Sequence, residues 1–299
     1  MIRAGTYREN LRATRGGTRT RPIIVAPAPG ERVVLEPASS DRDNIPLQIG
    51  TGASFIRFDG LIVQGARGPS TTNIYAWGSA HDIEITRCEV RRSARQGFFS
   101  ESTTRSIRIS RCYFHDNGGG GARNLDHNLY VEGERHVIVN CLITNATNGF
   151  GVQLYPESDN VLITNNTIVE NRSGVVIGGE GRRTTVRARL VNNIIGFNRV
   201  YGITTYWGEG SSGSANLAEH NLVFGNGERD LDEAGGVAFT ANVVSNPRFA
   251  NRNRRDFALR PDSPALDRAL PAFAPGYDFE GRHRPQGRRA DLGAFERKR

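Results

Sequence analysis

The chain has 299 residues, of which 37% are hydrophobic and 23% charged, with 35 glycines and a formal net charge of +8. This length allows one large domain or two small ones, and the glycine content favours a loop-rich, all-β core. No run of about 18 apolar residues is present, so no transmembrane helix is expected. Met1 opens directly into IRAGTYREN, without the apolar segment of a secretion signal.

Arginine carries the positive charge, because the only lysine is Lys298 in the final three residues. Guanidinium groups bind carboxylates in a bidentate fashion, so the charge balance favours an acidic polysaccharide as partner. The arginines are scattered and accompany no base-reading motif, so neither nucleic acid nor a membrane is expected as partner. A lysine side chain is not expected to act as the catalytic base.

A repeat of 24 to 29 residues organises most of the sequence. One equivalent position recurs at Leu61, Cys88, Cys112, Cys141, Asn166, Asn193 and Asn221. Short alternating segments come before it, such as IEI at 83–85, IRI at 107–109, VLI at 161–163 and ARL at 188–190. A second short segment follows it, and then a third: NIYAW, GFFSE, NLYVE, GVQLY, GVVIG and GITTY.

Three short strands per repeat cannot bury their apolar faces within one repeat, whereas stacked repeats share one continuous core. The sequence therefore predicts an all-β, parallel β-helix of three strands per coil, with about six or seven coils or more. Coils lie roughly 4.8 Å apart along such a stack. We expect Asn166, Asn193 and Asn221 to form an amide ladder, and the three cysteines to be buried in the same column rather than to bind metal.

Alternation within the third strand predicts which side chains face outward. One outward column runs through Tyr75, Phe99, Tyr130, Gln153, Val176 and Thr204, and the next through Trp77, Glu101, Glu132, Tyr155, Gly178 and Tyr206. Contiguous exposed aromatic side chains usually mark a binding surface. We expect Trp77, Tyr75, Phe99, Tyr155 and Tyr206, together with Gln153, to contact sugar rings. The alternative is that loops or the C-terminal segment cover these rings as a second core.

Glu101 and Glu132 fall in one outward column on neighbouring coils. Two carboxylates about one strand spacing apart favour either a raised pKa in one of them or a cation between them. Three interpretations stay open: a general acid paired with a nucleophile or base, a Ca²⁺ site, or ion pairs with Arg95 and Arg123. No cofactor other than Ca²⁺ is indicated.

The segment NLDHNLYVEG, residues 124–133, follows the glycine-rich loop DNGGGGAR. Asp126 and His127 lie at the corner that enters the third strand, with Tyr130 pointing outward from it. A histidine beside an acid is a candidate base near neutral pH, and Tyr130 is a candidate acid for a leaving oxygen. Arg95 or Arg172 would then neutralise a uronate carboxylate.

Four stretches carry a resemblance to a known family. They are AGTYREN at 4–10, FDGLIV at 58–63, the NNTI and NNII coils, and a C-terminal block with NPRF, DFALRPDSPALD and DFEGRHRPQGRRADLGAFE. With these motifs the chain resembles the pectate-lyase-like, right-handed parallel β-helix superfamily over nearly its whole length. The resemblance implies a right-handed solenoid, carbohydrate substrates that are often acidic, and a secreted or cell-surface location. It also implies a β-helix over 1–245 and an extended segment, 246–299, that packs on or caps it.

Three functions remain open, of which we favour the first. A lyase for uronate-containing polysaccharides would use His127, beside Asp126, and Tyr130 as base and acid, with arginines on the carboxylate. A glycoside hydrolase would use Glu101 and Glu132, with or without Asp126. The third is a non-catalytic carbohydrate-binding or adhesive protein. Fold alone does not decide among them.

Overall fold

The computed structural model describes residues 1–39, 44–68, 71–121, 125–205, 212–232 and 235–298. Almost all regular structure in these residues is short β-strand. The first strands are β1 (Gly5–Arg8), β2 (Leu11–Ala13), β3 (Ile23–Val25), β4 (Val33–Glu36), β5 (Leu47–Ile49), β6 (Ser54–Asp59), β7 (Ile62–Gln64), β8 (Ile74–Ala76), β9 (His81–Thr86), β10 (Glu89–Arg91), β11 (Phe98–Ser100), β12 (Arg105–Ser110) and β13 (Tyr113–His115).

The middle of the chain continues the same pattern. Its strands are β14 (Leu129–Glu134), β15 (Val137–Val139), β16 (Leu142–Thr144), β17 (Phe150–Asp159), β18 (Leu162–Thr164), β19 (Thr167–Val169), β20 (Ser173–Ile177), β21 (Gly179–Glu180), β22 (Arg183–Thr184), β23 (Arg189–Val191), β24 (Ile194–Gly196) and β25 (Tyr201–Thr205).

The last strands and two 3₁₀ turns complete the chain. They are β26 (Asn216–Glu219), β27 (Leu222–Phe224), β28 (Arg229–Leu231), β29 (Val237–Thr240), β30 (Val243–Val244), β31 (Phe249–Asn251), η1 (Arg252–Arg254), β32 (Asp256–Leu259) and η2 (Pro271–Phe273). No helix among the described residues is long and apolar enough to cross a bilayer.

The strands stack in parallel as a β-helix, which confirms the predicted fold class. The second strand of each coil forms a ten-stranded parallel sheet, from β1 to β30. The first and third strands form an 18-stranded sheet, which is continuous because β14 and β17 bend through the corner between the two columns. The stack is longer than the aligned repeats indicated, since β1 to β5 come before the first of them and β29 and β30 follow the last.

The core lies inside the coils and is filled by residues that alternate along every strand. Inward positions of the third strands, such as Ile74, Phe98, Leu129 and Val152, are at most 1% exposed. One core cluster of this kind runs through the whole stack. Burying a side chain of this size stabilises the fold by about 1.5–3 kcal/mol.

The corner after the first strand contains the predicted column of cysteines and asparagines. Cys88, Cys112 and Cys141 are free and buried. Asn166 Nδ2 donates to Asn193 Oδ1 at 3.0 Å, and Asn193 Nδ2 donates to Asn221 Oδ1 at 2.9 Å. Each ladder amide also binds backbone groups of the neighbouring coils, as in the 2.8 Å contact from the Cys141 amide to Asn166 Oδ1. The ladder therefore satisfies buried backbone groups that the tight corner would leave unpaired.

A second amide ladder, which the sequence alignment missed, lines the corner after the second strand. Asn117 Nδ2 donates to Asn128 Oδ1 at 2.8 Å, and Asn128 Nδ2 donates to Asn171 Oδ1 at 3.0 Å. The ladder then continues through Asn198 and Asn226. In the coil between Asn117 and Asn171 the ladder position is Ala146, whose amide binds Asn171 Oδ1. Asn128 comes from the far end of the glycine-rich loop and fills the gap that Ala146 leaves.

The C-terminal segment packs along the outer face of the ten-stranded sheet. A second apolar cluster joins Leu142, Val169, Ile194 and Leu222 of that sheet to residues of the segment: Phe249, Phe257, Leu259, Ala265, Ala269, Ala290 and Leu292. Side chains of the corner before the sheet reach the segment's backbone, as in the 3.1 Å bond from Asn165 Nδ2 to the Asp291 carbonyl. These contacts lie on a different face from the aromatic column.

Buried charges tie the end of that segment together. The Arg284 side chain is 1% exposed and donates to the Asp291 and Gly293 carbonyls at 2.7 and 2.8 Å. The Glu296 carboxylate lies 3.3 Å from Arg284 and accepts from the Gln286 and Asp291 amides. Burial lowers the pKa of Arg284 and raises the pKa of Glu296. The C-terminal block that resembles other β-helix proteins thus holds the end of the segment together through buried ion pairs and hydrogen bonds.

Candidate functional site

The outward face of the third strands carries a row of partly exposed aromatic side chains. Strand pairing places Tyr75, Phe99 and Tyr130 at the same position of adjacent strands β8, β11 and β14. Tyr75 and Phe99 stack with ring centroids 5.3 Å apart, and Phe99 meets Tyr130 edge to face at 5.0 Å. Tyr155, from the neighbouring outward column, extends this group of rings, with its ring centroid 6.3 Å from that of Tyr130. These four rings form the aromatic row.

Trp77 belongs to the next outward column and packs over the previous coil. A Cβ at Gly50 would lie 2.4 Å from the Trp77 ring, so the absence of a side chain there lets the indole lie against the backbone. Together with Tyr155, Trp77 flanks the two glutamates of that column. The two outward columns are separated by roughly 6.6 Å, two residues along a strand.

The row ends where the outer face becomes buried. Gln153, Val176 and Thr204 occupy outward positions, as alternation predicts, but are at most 1% exposed. The expectation of an open face there is therefore wrong, and Gln153 lies beneath the surface. Tyr206, predicted as a sugar contact, lies outside the described residues.

The pKa of the Glu132 carboxyl group on this face lies well above its ordinary value. Burial raises the pKa of Glu132 to about 7. The Arg183 guanidinium opposes this rise in the pKa, whereas the charges of Glu101 and Glu157 add to it. A carboxyl group with a pKa near 7 holds or releases a proton at neutral pH, which is what general acid or base catalysis requires.

Glu101 lies beside Glu132 in the same column and is held by two donors. The Tyr75 hydroxyl donates to Glu101 Oε1, and the Gly78 amide donates to Oε2 at 3.2 Å. Burial and this bond to Glu101 raise the pKa of Tyr75, so the phenol keeps its proton. The predicted pairing of two carboxylates is therefore present, and the two have different surroundings.

Arg183 reaches this site from the β21–β22 hairpin, which the sequence analysis did not anticipate. The hairpin follows β20 and is antiparallel, with Glu180 opposite Arg183. These two side chains also form an ion pair. The interpretation that Arg95 neutralises the glutamates is wrong, because Arg95 Nε lies 3.8 Å from Asp126 Oδ1 instead. Arg123 lies outside the described residues.

His136 supports Glu132 from inside the corner. His136 Nε2 lies 2.9 Å from the Glu132 carbonyl, and the Ile107 amide donates to His136 Nδ1 at 3.0 Å. Burial lowers the pKa of His136 to about 4, so the neutral ring accepts at Nδ1 and donates at Nε2. This arrangement fixes the backbone that carries the Glu132 side chain.

Asp126 and His127 lie beneath the surface at the corner that enters β14. Both are 0% exposed. The Phe150 amide donates to His127 Nδ1 at 3.0 Å, and the imidazole stacks on the Phe150 ring at 4.6 Å and on Tyr130 at 5.8 Å. A Cβ at Gly149 would lie 1.4 Å from the Asp126 carbonyl oxygen, which explains the glycine there. The structure thus places His127 behind Tyr130 rather than at the surface.

The two arginines predicted to bind a uronate carboxylate lie at the same corner. Arg95 lines a shallow groove of about 270 Å³ with Phe99, Tyr130 and two neighbours, Gln96 and Leu125. The guanidinium of Arg172 lies 5.9 Å from the Phe150 ring centroid. Arg95 therefore borders the aromatic row, whereas Arg172 packs behind it with the Phe150 ring.

The oxygen ligands available around Glu101 and Glu132 fit a Ca²⁺ site poorly. Ca²⁺ takes six to eight oxygen ligands, whereas both oxygens of Glu101 already accept hydrogen bonds. Within the described ranges, no group of three or more His, Cys, Asp or Glu side chains could hold a metal ion. Ca²⁺ binding by this pair stays a prediction.

Comparisons with known proteins agree with this architecture. Residues 72–253 match the right-handed beta helix region, and no curated protein sequence matches the chain. The pectate lyase Pel9A superposes with a TM-score of 0.69 at 15% identity, covering 99% of this chain and 87% of that one.

Two further solved structures are similar in fold. The alginate lyase from Paenibacillus sp. str. FPU-7 gives a TM-score of 0.51 at 14% identity, covering 81% of this chain and 90% of that one. The Azotobacter vinelandii mannuronan C-5 epimerase AlgE4 A-module gives 0.55 at 16% identity, covering 81% and 65%. Identities this low show a shared fold only. From the stacked coils and the match over more than half of its length, the chain belongs to the right-handed β-helix family.

Proposed function

We propose that this protein is a polysaccharide lyase that cleaves a uronate-containing polymer by β-elimination at the face around Glu132. The observation that carries the proposal is the Glu132 carboxyl group, which has a pKa of about 7. This group lies near the Arg183 guanidinium and beside the aromatic row. The fold shared with a pectate lyase and an alginate lyase supports the same class of substrate.

In this reaction Glu132 acts as the base. It removes the proton from the ring carbon next to the uronate carboxylate, and that electron pair forms a carbon–carbon double bond as the bond to the glycosidic oxygen breaks. Arg183 pairs with the carboxylate and thereby stabilises the charge that develops there. Tyr130, two residues away on the same face, gives its proton to the leaving oxygen.

The aromatic row positions the sugar rings for this step. Tyr75, Phe99 and Tyr130 offer flat apolar surfaces to the C–H faces of the sugars, along the direction in which the coils stack. His127 packs behind Tyr130 and holds the phenol in place, which is a positioning role rather than direct base catalysis. A polymeric substrate of this kind fits the secreted or cell-surface location implied by the resemblance.

A second candidate, glycoside hydrolysis, is favoured by the different surroundings of the two glutamates. Glu101 accepts two hydrogen bonds, as an anionic nucleophile or base would, and Glu132 has the raised pKa of a general acid. The two reactions need opposite protonation states of Glu132. With Glu132 as base, kcat/KM rises as the pH increases through about 7, whereas with Glu132 as acid it falls.

The deciding experiment incubates the full chain with pectate, alginate and glycosaminoglycans, with Ca²⁺ or a chelator. Ultraviolet absorbance of the unsaturated product and new reducing ends are followed together across pH. We expect both signals from one polymer, with the rate increasing through about pH 7. Reducing ends without ultraviolet absorbance would replace the lyase by the hydrolase, and glycan binding without either product would leave a non-catalytic binding protein.

A further inference from the structure

A second groove, at the corner after the second strands, shares no residue with the site around Glu132. It has a volume of about 380 Å³ and lies across the ends of β1, β4, β7 and β10. Its lining consists of Arg8, Glu36, Pro37, Ser39, Gln64, Gly65, Arg67 and Arg92. The four strand levels give it a length of about 14 Å at the usual strand spacing. We call it the arginine groove.

The floor of the arginine groove is fixed by a chain of hydrogen bonds. Gln64 Nε2 donates to Glu36 Oε1 at 2.7 Å, and Arg91 Nε donates to Gln64 Oε1 at 2.7 Å. Arg8 Nε lies 3.3 Å from the other Glu36 oxygen, and Arg91 also pairs with Glu89 at 2.6 Å. The charge of Glu36 is thus already compensated by Arg8, and the floor adds no net charge.

The rim differs from the floor because its arginines are exposed and unpaired. Arg67 and Arg92 form no ion pair or hydrogen bond through their guanidinium groups with any residue that the structure describes. Both follow second strands, β7 and β10, that are adjacent in the sheet. The rim therefore presents two cations on adjacent coils, neutralised by none of the residues that the structure describes, above a polar floor held by hydrogen bonds.

We propose that the arginine groove binds an acidic polysaccharide through the carboxylates of successive sugars. Guanidinium groups match carboxylates in a bidentate fashion, and exposed arginines on adjacent coils suit a linear polymer. Grooves for single-stranded nucleic acid add aromatic side chains on which bases stack, and this lining contains none. The groove would hold the polymer in place while the separate face around Glu132 acts on it.

The test compares Arg67→Ser/Arg92→Ser with a matched pair, Arg199→Ser/Arg254→Ser, which removes the same charge from exposed positions outside the groove. Binding of polygalacturonate, neutral dextran and single-stranded DNA to the full chain is measured by calorimetry at low and high salt. We expect polygalacturonate binding to be about tenfold weaker in the groove variant. In the matched pair, polygalacturonate affinity should fall by less than about twofold, and neither variant should bind dextran.

Binding in Glu132→Gln separates the groove from the proposed catalytic site. If the groove is a separate binding site, replacing Arg67 and Arg92 weakens polygalacturonate binding in that variant as well. This result does not depend on whether the protein is a lyase. Equal polygalacturonate affinity in the groove variant and the matched pair would overturn the inference. Tighter binding of single-stranded DNA than of polygalacturonate, with the same arginine dependence, would also overturn it.

Discussion

Two outer faces of the same β-helix differ in what covers them. On the ten-stranded sheet, outward residues such as Leu142 and Ile194 lie under the C-terminal segment and form a second apolar core. On the third strands, outward residues such as Phe99, Tyr130 and Glu132 stay partly exposed. Alternation along the strands is the same on both faces, so coverage decides whether an outward side chain stabilises the fold or is available to a ligand. Substitutions on the two faces should therefore separate stability from activity.

The largest expected effect is on the open face. Glu132→Gln removes the group that transfers the proton and should lower kcat/KM by about 10²–10⁴-fold, while leaving the fold intact. Steady-state kinetics on the active polymer measures it. Glu157→Gln is the control, because Glu157 is exposed and influences the pKa of Glu132 only through its charge. Equal losses in the two variants would mean that the face does not contain the catalytic base.

Substitutions on the covered face should lower stability and leave activity unchanged. Phe257 is 1% exposed and meets Phe249 edge to face at 5.2 Å, so Phe257→Ala leaves a cavity and should lower the free energy of unfolding by about 3–5 kcal/mol. Urea denaturation measures this loss, and kcat/KM per folded molecule should not change. Tyr277→Ala serves as the comparison, since Tyr277 is 54% exposed in the same segment. A fall in kcat/KM for Phe257→Ala would show that the two faces are coupled.

Acid should destabilise the corner beneath the open face. The unfolded His136 imidazole takes up a proton below about pH 6.5, whereas the folded one does so only below about 4. The unfolded state therefore binds more protons in this window, and stability falls by about 3 kcal/mol as the pH drops through it. Melting temperatures across this range test the prediction. His136→Gln should remove this part of the pH dependence, and His283→Gln, at an exposed position, should keep it.

Glu132 itself should give a smaller effect on stability with the opposite pH dependence, because its contribution falls as the pH rises. Its folded pKa is raised from 4.5 to about 7, so the associated stability is present below about pH 4.5 and is lost as the pH rises through 7. Because the carboxyl group is partly solvated, we expect Glu132→Gln to be more stable than the natural protein by only about 1–2 kcal/mol above pH 7. Urea denaturation below pH 4.5 and above pH 7 measures it. The same difference in stability between the two proteins at both pH values would show that ionisation of Glu132 does not destabilise the fold.

The repeat made the fold predictable, because equivalent residues recur at nearly constant spacing and their chemistry identifies the core column. It also placed Glu101 and Glu132 side by side. It could not reveal the role of Arg183, because the β21–β22 hairpin is not part of the repeat. The sequence of the hairpin does not show which side chains its end packs against. Nor could it show that His127 is buried, since its environment depends on Phe150 and Gly149 of the following coil.

Asn128 has a consequence for how such a protein tolerates change. Its side chain restores the ladder from the far end of the glycine-rich loop, so the rungs on either side are joined by amide contacts that bypass the loop backbone. We therefore expect a change of loop length at this bend to leave the rungs in register. New peptide sequences grafted there would lie beside the aromatic row without disturbing the solenoid, which makes the bend a natural place to engineer altered ligand preference.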